Sequence, residues 1–472
     1  MPDATPEQTR DRLSRELKAR QPDITRLYRY YRGDHPLPWA PKDIRDAYMA
    51  LLRMSRSNWC RLVVKAPSER LRVVGMRFSA DSNGDVDAWE RYWQGNRLDL
   101  ESRMVHDSAL IARRGFVLVW PEPDDAVPSI TPEHPSQVIV DYEPGCRRER
   151  TAALKEFVDD VAGMRYCTLW TPEKVYNWSA EWHGVRGVVE PMWQGWNDAA
   201  ANLYSEADNP LGEVPVVEFL ADPAMVGEPM GELDGGVTEI QDRINKTILD
   251  RLVTANFSSF KQKWATGLEI PQDEDGNDVE PFKNAVNRLF TSENPETKFG
   301  EFSESDLTGY ITSVEADIQH LAAITRTPPH YLLGQSGAFP SGESLKATET
   351  GLVAKVGERR DSFTESWEDV MRLALRADGD ERADDMALSM IWKDPESRSI
   401  AEVTDAAVKM LACGVPQREV WRFMGYTPTE IDTMDQDRAE DAANGLLANV
   451  GTQQAALGAV ASMKALPPGT AA

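Results

Sequence analysis

Cysteine, histidine and positive charge are all scarce in this chain of 472 residues, and each shortage removes a class of function. The four cysteines, Cys60, Cys146, Cys167 and Cys413, are scattered without a Cys-x-x-Cys pair. Neither a disulfide framework nor a zinc ribbon is therefore indicated, and folding in a reducing cytoplasm is expected. The six histidines stand at positions 35, 106, 134, 183, 320 and 330, and none belongs to a His-Glu-x-x-His pair. Gly-x-Ser-x-Gly is missing, as is Gly-x-Gly-x-x-Gly after a strand, which leaves no hydrolase elbow and no dinucleotide fingerprint. Against 77 acidic residues there are only 52 lysines and arginines, a formal charge of −25 that opposes firm, non-specific binding of nucleic acid. No apolar run approaches the roughly 20 residues that span a bilayer. Met1-Pro2-Asp3-Ala4 lacks the basic and apolar pattern of an export signal, so no membrane association is expected.

What the chain does have is enough apolar material, 41% of its residues, for a sizeable core and more than one domain. It is organised around the stretch from Ser303 to Asp378. Leu307, Tyr310, Ile311, Val314, Ile318, Leu321 and Ile324 recur at steps of three and four, the period of one buried helical face. Ser303 is read as the cap, with Asp306 as the acidic partner of a capping box, and Pro328-Pro329 as the stop. A loop with three glycines follows, Gly334 to Gly342, with Phe339 near its tip. Beyond it Leu345, Leu352, Val356, Phe363, Trp367, Val370 and Ala374 carry a second helical stripe to Asp378, roughly 55 Å long at about 1.5 Å per residue. Glu349, Arg359 and Arg360 fall on or beside that stripe, so parts of it are expected to meet a polar surface.

The run Thr325-Arg326-Thr327-Pro328-Pro329-His330-Tyr331-Leu332-Leu333-Gly334, then Ser341-Gly342-Glu343-Ser344-Leu345 and a long helix, resembles the core of portal proteins from long-tailed double-stranded DNA bacteriophages. The likeness is greatest to portals of phages that infect actinobacteria, and it extends by order of elements from about Leu27 to about Asp437. The resemblance implies an α+β portal fold, divided as follows. Residues 1–232 would be an N-terminal wing, β-rich from about 115. Residues 233–263 and 303–333 would be two stem helices around a small β-containing clip at 264–302. A tunnel loop would occupy 334–343, a long wing helix and return strand 344–395, a helical crown 396–448, and a disordered tail 449–472. It further implies a closed ring of about twelve copies at one capsid vertex. Double-stranded DNA would pass through it non-specifically during packaging and ejection, driven by a separate ATPase. The implied partners are the terminase large subunit, the head-completion adaptor, and the major capsid and scaffolding proteins. Location in the virion is implied, with host cytoplasm during assembly. An acidic chain suits such a conduit, since a passing duplex should not be held by its phosphates.

For individual residues the resemblance assigns Gln335, Ser336, Gly337, Ala338, Phe339 and Pro340 to the channel-facing loop. It assigns Asp273, Glu274, Asp275, Phe282, Arg288 and Lys298 to the contact with motor and adaptor. Lys261 and Lys263 are read either as a basic ring near the channel or as a solvated helix end.

Elsewhere, Thr5 with Pro6 starts a helix that runs to about Tyr31 and is expected to kink or restart at Pro22. A helix over Asn58 to Leu71 precedes a strand at Arg72 to Phe78. Two more helices, Asp87 to Trp93 and Leu98 to Arg113, have Asn96 and Asp99 as turn and cap. Between Gly115 and Phe219, runs such as 116–120, 138–142, 166–170 and 174–178 are rich in Val, Thr, Tyr and Trp and predict a mostly antiparallel sheet domain. Its tryptophans, Trp170, Trp178, Trp182, Trp193 and Trp196, read as packing residues rather than a stacking platform. Leu233 to Trp264 marks a long amphipathic helix, followed by short strand-like pieces that include Lys298 to Phe302. A strand over Met386 to Trp392 and three helices, Ser397 to Cys413, Pro416 to Met424 and Pro428 to Leu447, complete the chain, the last opened by the capping box Thr427-Pro428-Thr429-Glu430.

Two chemical readings compete with a structural role. Gly337 to Ser344 has P-loop spacing but carries Glu343 where the lysine must stand, so phosphate would be repelled and ATP binding is rejected. His106-Asp107 is the alternative: a metal-dependent hydrolase, although no second ligand cluster accompanies the pair. A non-channel scaffold or adaptor is the third possibility. No cofactor, metal or catalytic residue is assigned.

Overall fold

The computed structural model describes residues 4–39, 42, 49–78, 86–123, 126–182, 191–198, 204–259, 263–266, 296–301, 306–333, 342–396 and 400–442. Helix α1 (Pro6–Arg32) opens with a complete capping box: Gln8 N–H donates to Thr5 Oγ1 and the Gln8 side chain accepts from Thr5 N–H. It closes on Gly33 at φ 81°, where a side chain would be strained. The expected restart at Pro22 does not occur, and a single helix passes through it. Each half is held by its own core: Leu13 and Leu17 pack on one side of the proline, Leu27 and Tyr30 on the other.

Helices α2 (Met49–Met54) and α3 (Trp59–Ser68) follow, then β1 (Val73–Arg77), a wide π-helical turn at Trp89–Gln94, and α4 (Leu98–Ala112). Asp99 does not cap α4. Its carboxylate accepts from Trp93 Nε1 and Gln94 Nε2, and the cap position falls to Arg97 in the left-handed region at φ 55°.

The β-rich part is antiparallel throughout. β2 (Arg114–Trp120) lies between β3 (Ser129–Glu133) and a later strand, β10 (Val216–Leu220). β4 (Val138–Tyr142), β5 (Arg150–Asp159), β6 (Met164–Trp170), β7 (Lys174–Glu181), β8 (Gln194–Gly195) and β9 (Glu206–Asp208) form a six-stranded sheet, and β10 (Val216–Leu220) returns beside β2. Alternation sorts the side chains to two faces. Ile139, Ala152, Leu154, Cys167 and Leu169 meet Leu13 and Leu17 of α1, whereas Val138, Val140, Ala153 and Trp170 meet Phe116, Val214 and Val216. Trp170 and Trp178 are buried in these layers; Trp182, Trp193 and Trp196 are half-buried.

Next comes α5 (Val237–Ser259), then a two-stranded ribbon of β11 (Lys263–Thr266) and β12 (Lys298–Glu301), then α6 (Thr308–Ile324). Trp264, expected to extend the helix, lies on β11 instead, because the helix ends at a Ser-Ser pair of low helix propensity and the ribbon takes over the backbone hydrogen bonds. α6 starts at Thr308 rather than Ser303. Asp306 itself satisfies the first turn, accepting from Thr308 N–H at 2.8 Å.

A one-turn helix, α7 (Pro329–Leu332), leads towards α8 (Gly342–Ala377), 36 residues and about 54 Å long. From Leu352 onward α8 is not a surface strut but the axis of the main core. Leu352, Val356, Phe363, Trp367, Val370, Met371 and Ala374 are all fully buried, packed by α1, α3, α4, β2 and β10. Before Leu352, Ser344, Lys346, Thr348 and Thr350 are exposed. β13 (Ser389–Trp392) pairs with β1, 312 or more positions away in sequence, and seals the core. α9 (Ile400–Ala412), α10 (Gln417–Met424) and a helical stretch at 428–442 end the described chain. The Thr427–Glu430 capping box is formed as expected.

Candidate functional site

Most residues singled out from the sequence, Gln335 to Pro340, Lys261, Asp273, Glu274, Asp275, Phe282 and Arg288, lie outside the described residues. Two lie within them, and both are on the ribbon rather than on a helix. Lys263 is the register partner of Glu301, and Lys298, which is exposed, is the partner of Thr266. The reading of Lys263 as a helix end is thereby corrected.

What the structure builds in detail is the base of this excursion. α5 and α6 run antiparallel, with Arg243 paired to Asp317 at 2.7 Å and Thr254 Oγ1 3.3 Å from the Tyr310 hydroxyl. Between them Ile244, Ile318, Ala322 and Leu332 are buried, joined by half-buried Trp59 and Leu62 from α3. The α5 side is fixed by amides. Gln241 Oε1 accepts from the Trp59 and Cys60 N–H groups, capping α3 from outside, while its Nε2 donates to the Ser57 carbonyl and to Asn245 Oδ1. Buried His35 completes this network, its Nε2 at 3.1 Å from the Tyr30 carbonyl and its Nδ1 at 3.3 Å from Asn245 Nδ2. Burial lowers the pKa of this imidazole.

The α6 side is fixed by ions. Lys355 Nζ, on α8, donates to the Thr325 carbonyl at 2.6 Å, placing a cation on the C-terminal end of the α6 dipole. The same ammonium meets Glu232 Oε2 at 2.7 Å, and Arg359, one turn on, meets Glu232 Oε1 at 3.2 Å and Asp222 at 3.3 Å. Lys355 and Glu232 side chains are only 5% and 4% exposed, so each charge depends on the other. Around this cluster Arg326, at φ 50°, turns its guanidinium to Glu358 at 2.9 Å. The Thr325 hydroxyl donates to the Leu321 carbonyl, and Arg70 reaches both the Tyr331 hydroxyl at 2.7 Å and Glu349 at 3.1 Å. The motif Thr325 to Leu333 is therefore a clamp that seats the end of α6 along α8 from Glu349 to Glu358.

Glu349 and Arg359 were visible in sequence as polar residues on an apolar stripe. Glu232 and Asp222 were not, because they lie more than 120 positions from Lys355 and Arg359. The available signal was the i, i+4 spacing of two cations, Lys355 and Arg359, beside Val356.

His106 and Asp107 do not converge on a site. His106 is fully buried, stacked on Phe363 with ring centroids 4.9 Å apart, and its Nε2 accepts from Trp367 Nε1 at 2.9 Å. Burial pushes the imidazole down to about 3, so it is held neutral. Asp107 instead takes the ammonium of Lys65 at 2.6 Å and the hydroxyl of Ser68. Among the described residues no group of three His, Cys, Asp or Glu side chains is placed to hold a metal. A cleft of about 580 Å³ lies between the 143–147 turn and the 222–229 loop. Its polar walls are satisfied internally: Arg114 pairs with Glu218 and Glu228, Tyr142 donates to Glu218, and Arg147 donates to the Ala224 and Met225 carbonyls.

The sequence profile described as "Phage portal protein, SPP1 Gp6-like" matches residues 10–443. The portal protein of Mycobacterium phage D29 is 27% identical over 411 residues, covering 83% of this chain and 81% of that protein. The portal protein of Mycobacterium phage L5 is 26% identical over 411 residues, covering 83% and 80%. Among solved structures, a chain from the virion of a native gene transfer agent particle aligns over 79% of this chain and 89% of its own, at 12% identity and a TM-score of 0.37, a likeness too slight to bear on fold or function.

Proposed function

The chain belongs to the SPP1 Gp6-like family of phage portal proteins, and from that membership we propose how its parts divide the work of a DNA conduit. The subunit assembles with copies of itself into a closed ring at one capsid vertex, by a heterologous interface whose rotation closes, with about twelve copies as the expected number. Double-stranded DNA passes through the central hole during packaging and ejection. The layered sheet domain and the core around α8 form the peripheral wing. The α5–α6 pair forms the stem, and the ribbon of β11 and β12, with the chain between them, forms the clip that meets the terminase large subunit and the head-completion adaptor. Residues 334–343 form the tunnel loop, in which Gln335 to Pro340 face the channel, with Gln335 and Phe339 nearest the duplex. α9, α10 and the helical stretch at 428–442 form the crown. Contacts with the major capsid and scaffolding proteins belong to the outer wing. The role is structural, with chemical work left to a separate ATPase.

The observation that carries this reading is the extent of the family match, 434 consecutive positions from 10 to 443 that include sheet domain, helix pair, long helix and terminal helices alike. Electron microscopy of the purified protein in negative stain tests it. Discrete annular particles with a central hole are expected. A homogeneous monomer, persisting across salt and protein concentrations, would instead favour an adaptor or scaffold without a channel.

A further inference from the structure

The chain leaves the sheet domain after β10, makes its excursion through α5, the ribbon and α6, and comes back to α8. Both ends of that excursion meet at one place. Glu232 stands five positions before Val237, the first residue of α5, and Thr325 is the residue that closes α6. Lys355 of α8 binds both: the Glu232 carboxylate at 2.7 Å and the Thr325 carbonyl at 2.6 Å. Arg359 holds the other carboxylate oxygen of Glu232 and ties Asp222 to the same point. The Glu232 N–H donates to the Leu110 carbonyl of α4 at 2.8 Å, so the entry point is anchored to the body as well.

From this we infer that Lys355 is the positioning residue of the helix pair: a single buried ammonium that joins the start of α5, the end of α6 and the middle of α8, and so sets the angle at which the pair leaves the body. A chain excursion with one entry and one exit is a lever. Its direction depends on whether those two points are tied to each other and to a rigid support. The apolar contacts of Ile244, Ile318 and Ala322 hold α5 to α6, but they are non-directional and would tolerate sliding. The ion cluster is directional: Nζ has three donors, and the Glu232 carboxylate and Thr325 carbonyl take two of them at fixed positions. On the portal reading, on which the consequence rests, the lever is the stem and its far end meets the motor. Lys355 then decides whether a displacement at that end reaches α8 and the wing core.

Hydrogen exchange on the full-length assembled protein tests the inference. Lys355→Met removes both tethers and leaves the Glu232 carboxylate to Arg359 alone; a second variant, Lys355→Met with Glu232→Gln, removes that half-compensated buried charge should the first fail to fold. Amides at both ends of the excursion, 237–245 and 321–327, should exchange about tenfold faster together, while those of β5 and β6 stay unchanged. Lys355→Arg, which keeps a cation with several donors, should restore most of the protection. Acceleration at one end only, at neither, or equally across the sheet would overturn the inference. Ring imaging of the same samples reports on the portal reading separately, since exchange at the two ends does not depend on whether the particle is annular.

Discussion

At the scale of single residues, the buried histidines His35 and His106 serve as hydrogen-bonding groups within the core. His106 sits among Phe363, Trp367 and Trp392 and accepts the Trp367 indole N–H, a role that only the uncharged ring can play. Its pKa falls from the ordinary value near 6.5 to about 3 on folding. The unfolded chain therefore takes up the proton first, so stability present above pH 6.5 is lost as pH falls from there towards 3. At pH 5 the loss from this residue should be about 2 kcal/mol. His106→Gln, which keeps an acceptor for the indole but does not titrate, should be less stable than the parent at pH 7. The gap should narrow by that amount at pH 5 in denaturant titrations. A gap independent of pH would mean that the folded protein protonates His106 freely. The dipeptide His106-Asp107 was visible in sequence, but its meaning was not. Adjacent positions on a helix point about 100° apart, and only the packing of α8 decides that one faces tryptophans and the other Lys65.

At the scale of elements, periodicity made the two principal helices legible. The stripe from Leu307 to Ile324 and that from Leu345 to Ala374 both fold as helices, and the Val- and Trp-rich runs all become strands. Less was legible where a tertiary partner overrides a local signal. Asp99 was drawn from the cap of α4 by the Trp93 indole, and Trp264 fits a helical step of four from residue 260 yet pairs on a ribbon. The close approach of the α5 entry to α4 was hidden too, because it depends on a glycine whose reason is a neighbour's backbone. A Cβ on Gly231 would meet the Leu110 carbonyl oxygen at 2.8 Å and Arg113 N at 3.3 Å, whereas a Cβ on Gly357, inside α8, would meet nothing within 4 Å. Gly231→Ala should therefore destabilise by about 1–3 kcal/mol through forced separation of α4 from the entry to α5. Gly357→Ala should stabilise by about 0.5–1 kcal/mol, since it restricts the unfolded chain and improves helix propensity without a clash. Thermal midpoints moving in opposite directions for two chemically identical changes would confirm that the contact, not the residue type, sets the sign.

At the scale of the whole molecule, the formal charge of −25 is at odds with the proposed crowding of many copies around one axis, and it makes ring assembly a question of screening. Like charges on neighbouring subunits repel over a Debye length of about 10 Å at 0.1 M salt, falling to about 3 Å at 1 M. Within the subunit, many of the cations among the described residues are already paired: Arg113 to Asp23 and Asp234, Arg114 to Glu218 and Glu228, Arg418 to Asp432 and Asp435. Intersubunit contacts built on apolar surface would then have to overcome net repulsion, and salt would help them. The ring fraction at fixed protein concentration, measured by sedimentation velocity, should accordingly rise between 20 mM and 300 mM sodium chloride. Affinity for a short random duplex should stay weak throughout, because a net charge of −25 opposes the phosphates. The opposite salt response, rings that fall apart as ionic strength rises, would place matched patches of opposite charge across the interface.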